Sequence, residues 1–384
     1  MQTKKPYLGT ALMLISLMVI SGCWNYREVD SLAIVTGVAI DKGKDNTYQL
    51  TTEIIQVSGG KDPRITSRLL SMEGKTIFDA VRNGISVAGR KLYWSHINVV
   101  IISKDIVDDR LIAVLDWFNR DVETRADVDI LVSLDKTAKE ILEGQALIEQ
   151  IKSIEMIRMI HNQKSLSKAP KSDLWKFGIE FQGEGISPVA AAVKLEKVDT
   201  HNSPRLAGSA VYKNARIAGY LNEEETKGML FVKNEVKGGI LVIGEPNNHK
   251  NPLITLEIFK NSTKIIPSVN NQHLEVLIDI KMEVGIDEIQ GSLNLINAEG
   301  PQKIRHQAEE RLRKQIEGVI AKSQKQLKTD IFGLGAKIRQ DKPEIWRQVA
   351  DRWEEDYPQL KVKVQTKVDI KNSAMMLKTL QKEE

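Results

Sequence analysis

The chain has 384 residues, with 55 basic and 51 acidic side chains for a formal net charge of +4, and it is 41% hydrophobic and 28% charged. That length exceeds the roughly 250–300 residues at which one hydrophobic core stops growing, so more than one domain is expected. The composition excludes a disordered chain and a multi-span membrane protein, and so small and dispersed a positive excess gives no support to nucleic-acid binding.

Met1 to Ile20 opens with Lys4 and Lys5 and continues through "YLGTALMLISLMVI" from Tyr7. About fourteen apolar residues are too few to cross a ~30 Å hydrocarbon core as a helix, yet they match the apolar stretch of an export signal. Ile20, Ser21 and Gly22 then precede Cys23, the only cysteine. A lone thiol excludes an internal disulfide and a cysteine-based zinc site, so its position carries the information. Ile20-Ser21-Gly22-Cys23 resembles the bacterial lipobox, in which the sulfur takes a diacylglyceryl group before cleavage makes the cysteine the new N-terminus. The step needs a sulfur nucleophile, and two acyl chains give stable anchoring where one is marginal. The plainer alternative is an apolar filler at the end of an uncleaved helix. Trp24 and Tyr26 follow, suited either to the headgroup layer or to packing on the first domain.

Ser31–Lys42 and Thr47–Val57 are rich in β-branched residues and separated by "GKDN", which predicts a strand pair with a tight turn. Ile77, Val81, Ile85 and Ala88 have helical spacing. "INVVII" (Ile97–Ile102) predicts a buried strand. Asp105–Arg120 predicts a helix with Leu111, Leu115 and Phe118 on one face, and Asp127–Ser133 another strand before a helix start at "TAKEILEG". Leu147–Ser165 has a partly apolar helical face. "SKAPKSD" and "KVDTHNSPRLAG" are the strongest loop clusters, and the second places a domain boundary at about Asp199–Arg205.

"LAGSAVYKNARIAGYL" predicts two strands joined around Lys213 and Asn214. In "HLEVLIDIKMEV", Leu274, Val276, Ile278, Ile280, Met282 and Val284 alternate with mostly polar residues, the pattern of a strand buried on one face. From Pro301 to Lys328, Ile304, Ala308, Leu312, Ile316, Val319, Ile320, Ser323 and Leu327 form the stripe of a long amphipathic helix. Its other side carries Lys303, Arg305, Arg311, Arg313, Lys314, Lys322, Lys325 and Lys328, a face for anionic headgroups or, more commonly, a solvated surface. "KVKVQTKVDI" (Lys361–Ile370) predicts an edge strand guarded by Lys361, Lys363 and Lys367. The expected fold is α+β and multi-domain, with mixed or antiparallel sheets and a long amphipathic helix in the C-terminal half. The expected segments are a signal peptide at 1–22 and α+β domains at 23–203 and 204–384.

No chemistry stands out. His96, His161, His201, His249, His273 and His306 are scattered, and no HExxH, P-loop, GxSxG or SxxK occurs. "GEGIS" (Gly183–Ser187) and "GLGAK" (Gly333–Lys337) lack the third glycine of a dinucleotide loop and read as turns. The pairs Asp108–Asp109 and Glu354–Glu355 read as solvated charge. The sequence predicts no catalytic residue, cofactor or metal.

Three stretches together resemble the C-subunit lipoproteins of nutrient germinant receptors of endospore-forming bacteria, the Ger(x)C family: "GCWNYREVDSLAIVTGVAIDK", "GSAVYKNARIAGYLNEEETKGMLFVKNEVKGG" from Gly208, and "DIFGLGAKIRQDKPEIW" from Asp330. Asn25 departs from the family's usual Asp. The resemblance implies a non-enzymatic lipoprotein on the outer face of the spore inner membrane, assembled with an integral-membrane A subunit and a permease-like B subunit. It transfers one site, Cys23. The competing class is a solute-binding lipoprotein of an importer, which demands two doubly wound lobes around a cleft.

Overall fold

The computed structural model describes residues 28, 31–59, 64–245, 253–270, 273–290 and 300–373. The signal-peptide residues, Ile20, Ser21, Gly22, Cys23 and His249 lie outside them. The fold is α+β, built on a nine-stranded mixed sheet and a separate four-stranded sheet.

β1 (Leu32–Lys42) and β2 (Tyr48–Ser58) form the expected antiparallel pair. Their turn puts Asp45 and Asn46 at positive φ, which short polar side chains tolerate. β3 (Arg64–Gly74) lies along the whole of β2, from Tyr48↔Gly74 to Ser58↔Arg64. On the other side of β1 stand two parallel strands, β4 (Lys91–Tyr93) and β5 (Val99–Ile102). The sheet continues through β6 (Asp129–Ser133), β7 (Val189–Val198), β8 (His201–Lys213) and β9 (Arg216–Leu221), in the order β3-β2-β1-β5-β6-β7-β8-β9.

Parallel strands require crossovers, and helices supply them on both faces. α1 (Ile77–Ala88) and α2 (Asp109–Arg120) bury Ile77, Val81, Leu111, Leu115 and Phe118 over Val38, Ile40 and Val100. The Thr76 side chain caps α1 by accepting from Asp79 N, and Gly89 at φ +63° ends it. α3 (Ala138–Glu143) and α4 (Lys152–His161) cover the opposite face with Ile141, Met156 and Ile160 over Ala39, Ile101 and Leu131. α5 (Leu174–Gln182) joins the first layer through Leu174 and Phe177.

The helix expected over Leu147–Ser165 is shorter, because the Glu155 carboxylate accepts the N–H groups of Leu147, Ile148 and Glu149 at 2.7–3.0 Å and holds that segment outside it. Residues 199–205 are not a loop. The chain reverses at Asp199 (φ 51°) and Thr200, after which Asn202, Ser203 and Pro204 pair with Lys197, Glu196 and Leu195. Residues 203 and 204, where the expected domains meet, both lie in β8.

The second sheet, β10-β11-β12-β13, comprises β10 (Ile240–Ile243), β11 (Ile254–Asn270), β12 (His273–Ile289) and β13 (Lys361–Ser373). α6 (Glu223–Val232) and α7 (Gly300–Lys322) share its core with Val189, Val211 and Leu221 of the first sheet. α7 runs on into a π-helical stretch, Ser323–Leu327, and all eight residues of its predicted stripe are buried. α8 (Leu334–Asp341), α9 (Pro343–Val349) and α10 (Trp353–Asp356) complete the crossover to β13, which runs parallel to β12 at the sheet edge.

Candidate functional site at the junction of the two sheets

A carboxylate buried away from water costs several kcal/mol unless its oxygens are hydrogen-bonded, so each buried acid marks a place where the fold needs a strong acceptor. Asp41 accepts from Ala138 N (2.7 Å) and Lys139 N (2.9 Å), fixing the start of α3; burial raises its pKa against the pull of those donors. Glu53, fully buried in β2, accepts from Ser153 N and Oγ at 2.8 and 2.7 Å and from Ser67 Oγ at 2.6 Å, docking α4.

A further such clamp joins the two sheets. Asp330 accepts from Phe332 N, Gly333 N and Gly335 N at 2.8–3.1 Å, winding "DIFGLG" into a tight turn with Gly333 at φ +75°. Burial pushes its carboxyl up to about 6, opposed by those backbone donors. The other glycine turn meets it: Ser187 N donates to Asp330 O at 2.8 Å and Ala336 N to Gly185 O at 3.0 Å. A Cβ at Gly335 would stand 2.6 Å from Gly185 Cα and 2.7 Å from the Trp353 ring. Trp346 donates from Nε1 to Glu184 (3.2 Å), and the Trp346, Trp353 and Tyr357 rings follow at 5.5 and 5.9 Å. The Lys233–Glu180 ion pair, 2.7 Å and almost fully buried, ties the end of α6 to α5. Two turns that look unrelated in sequence are one interlocked structure.

Asp129 is different. It opens β6, is 1% exposed, and neither carboxylate oxygen has a hydrogen-bond partner. Burial pushes its pKa to about 7, with Lys171 lowering it and Asp173 and Asp127 raising it. Without a bonded second group it lacks the positioned partner that acid–base chemistry needs.

Of the histidines, His96 lies 5.8 Å from the Tyr93 ring, while His161, His201, His273 and His306 are exposed on different elements. No group of three His, Cys, Asp or Glu among the described residues could hold a metal. Asp108 pairs with Arg216 and Glu354 with Lys213. A 450 Å³ hollow lies between Lys164, Lys237–Ile240, Glu257 and Phe259, with charges of both signs at its walls. The basic face of α7 is largely paired: Arg311 with Glu224, Lys322 with Glu225, Arg313 with Glu317 and Lys314 with Glu310. The Glu224 and Glu225 partners come from α6, which sequence periodicity could not place beside α7. The solvated reading of that face fits these pairs.

Taken together, these features define an α+β protein of two interlocked sheets whose buried acids mostly hold backbone. The same fold occurs in the crystal structure of the GerBC protein, which matches 87% of this chain and 96% of its own with a TM-score of 0.57 at 20% identity. Residues 25–195 match the "Spore germination protein N-terminal domain" model, and residues 207–374 the "Spore germination B3/GerAC like, C-terminal" model. Spore germination protein KC of Bacillus subtilis (strain 168) is 25% identical over 96% of each chain. Spore germination protein B3 of the same organism is 26% identical over 90% of this chain and 92% of its own. The chain belongs to the GerAC-type spore germination family, the C-subunit group.

Proposed function

We propose that the chain is a lipid-anchored, non-enzymatic subunit of a nutrient germinant receptor and takes part in triggering spore germination. The observation that carries this reading is the match of both the N-terminal and C-terminal spore germination models, in order, behind a lipobox. On this reading Cys23 carries a diacylglyceryl group on the outer face of the spore inner membrane, and the folded sheets dock to an integral-membrane A subunit and a permease-like B subunit. The interlocked junction supports it physically, since a rigid body built from two sheets suits a non-catalytic role in assembly better than a hinged cleft does.

Cys23→Ala should remove the lipid label and with it the diacylglyceryl mass at the anchor position, measured by radiolabelled-lipid incorporation and by the mass of the N-terminal peptide. A variant that keeps its label would end the anchor assignment. Deleting the gene should block germination in particular nutrients and leave sporulation intact. Normal germination across a panel of nutrients, with paralogous receptors also deleted, would overturn the receptor role.

A further inference from the structure

We propose that the end of the nine-stranded sheet where β1 begins is a second membrane contact, a rim that rests on anionic phospholipid headgroups. The inference builds on the Cys23 anchor. Leu32 is nine residues from Cys23, so the first strand residue stands at most about 30 Å from the lipid linkage even with the chain fully extended. The start of β1 is therefore held within reach of the bilayer surface.

That surface has the right chemistry. Because β2 runs antiparallel to β1, its last residues lie beside the start of β1, and there Val57 faces Ile65 of β3 as a direct cross-strand pair. Val57 is 66% exposed and Ile65 52%, although aliphatic pairs in a sheet usually face a core. On the other side of β1, Leu32 is in register with Lys91, and Lys91 forms an ion pair with Glu123. Next to Glu123 stands Val122, 98% exposed. Three bare aliphatic side chains thus flank the strand that leads from the anchor.

The charges agree. Arg64, Arg68 and Arg90 border the same end, are exposed, and make no ion pair among the described residues. Of the acids at this end, Glu123 pairs with Lys91 and Asp121 accepts the Glu123 N–H at 2.8 Å, which leaves the exposed Glu28 ahead of β1 against three arginines. This contrasts with α7, whose arginines and lysines largely have carboxylate partners. Free cations beside exposed aliphatics match an interface where basic side chains meet anionic headgroups and short apolar groups enter the acyl boundary.

The test uses the full-length lipidated protein reconstituted in vesicles. On the anchor reading the Cys23 sulfur is consumed, so Val57→Cys, Val122→Cys or, at the far end of β7, Val198→Cys each supplies one reactive thiol for a fluorophore. In phosphatidylglycerol-containing vesicles, nitroxide-labelled lipid should quench the labels at 57 and 122 several-fold more than the label at 198. Arg64→Glu with Arg68→Glu should shift the ratio of apposed to free orientations roughly thirtyfold toward free, and pure phosphatidylcholine should act in the same direction. Equal quenching at all three positions, with Cys23 shown by mass to be lipidated, overturns the rim and leaves the anchor standing. Labels at 57 and 122 shielded from an aqueous quencher but not reached by lipid nitroxide mark a protein interface and overturn the lipid assignment. An unlipidated Cys23 overturns the anchor reading; quenching confined to 57 and 122 would then support the rim alone, and its absence would remove both.

Discussion

Gly185→Ala should destabilise the protein by about 2–5 kcal/mol, lowering the midpoint of urea unfolding, whereas Gly178→Ala should raise stability by about 0.5–1 kcal/mol. The signs differ because the two glycines do different work. Gly185 sits at φ +71°, where a Cβ meets its own backbone, and that Cβ would also lie 2.6–2.7 Å from the backbone of Gly335 and Ala336. Backbone cannot rotate aside as a side chain can. Either the turn around Asp330 shifts, loosening three N–H···O bonds to a buried acid, or the two sheets separate. Gly178 lies inside α5 with nothing within 4 Å of an added Cβ, so alanine there only restricts the unfolded chain and favours helix. If both variants behave alike, the interlock of the two turns is not a source of stability.

Asp129 gives the second large effect, and its sign is unusual for a carboxylate. Its pKa rises from an ordinary 3.8 to about 7, so between those values the folded chain holds a proton that the unfolded chain has lost. Stability from this group is complete below about pH 4, declines as pH rises through the window, and is lost above about pH 7, a swing of order 4 kcal/mol. Salt-bridged acids behave in the opposite way. Asp129→Asn cannot ionise, so it should flatten this part of the profile: relative to wild type, the variant gains stability at pH 8 over its standing at pH 4.5. Urea unfolding of both proteins at the two pH values measures the difference, and equal shifts would mean that Asp129 is solvated or paired.

Much of the fold is readable in the sequence because its elements obey single-face periodicity. The α7 stripe and the alternation in β12 each meet one apolar layer, so buried positions repeat with the period of the element itself. β3 escapes that reading. "RITSRLLSMEG" has no clean alternation, being an edge strand with mostly exposed or half-buried side chains, and its conformation is set by eleven pairings to β2 that no local pattern encodes. In α5 the exposed Trp175 and Ile179 lie opposite Phe177 and blur the helical period, leaving the Asp173 cap, which accepts from Lys176 N, as the signal that could have found it. At 199–205 the turn-forming residues predict a loop, but the strand pairing of Asn202–Pro204 overrides their local preference.

The junction was half legible. Both GxG segments call for turns, and both contain glycine at positive φ. Their meeting depends on tertiary structure, and so does the burial of Asp330, since nothing in "KTDIFGLG" distinguishes a turn acid accepting three backbone donors from an exposed one. Cys23 is the reverse case: the lipid attachment proposed for it rests on four consecutive residues, Ile20 to Cys23, and on no feature of the fold.

The parallel pairing of β12 with β13 has a consequence for how the molecule is made. Glu275 and Lys361 adjoin across that pair but are 86 residues apart, and all of α7 to α10 intervenes. A chain emerging from synthesis can complete the N-terminal sheet while the second sheet lacks β13. Val368, Val364 and Ile370 are then missing from the core, and the edge of β12 is open to other chains. Non-local parallel pairing of this kind is slow and exposes strand edges while it waits. The final turn of the assembly therefore falls after the whole chain is available, which makes the C-terminal strand the element on which maturation of the second sheet turns.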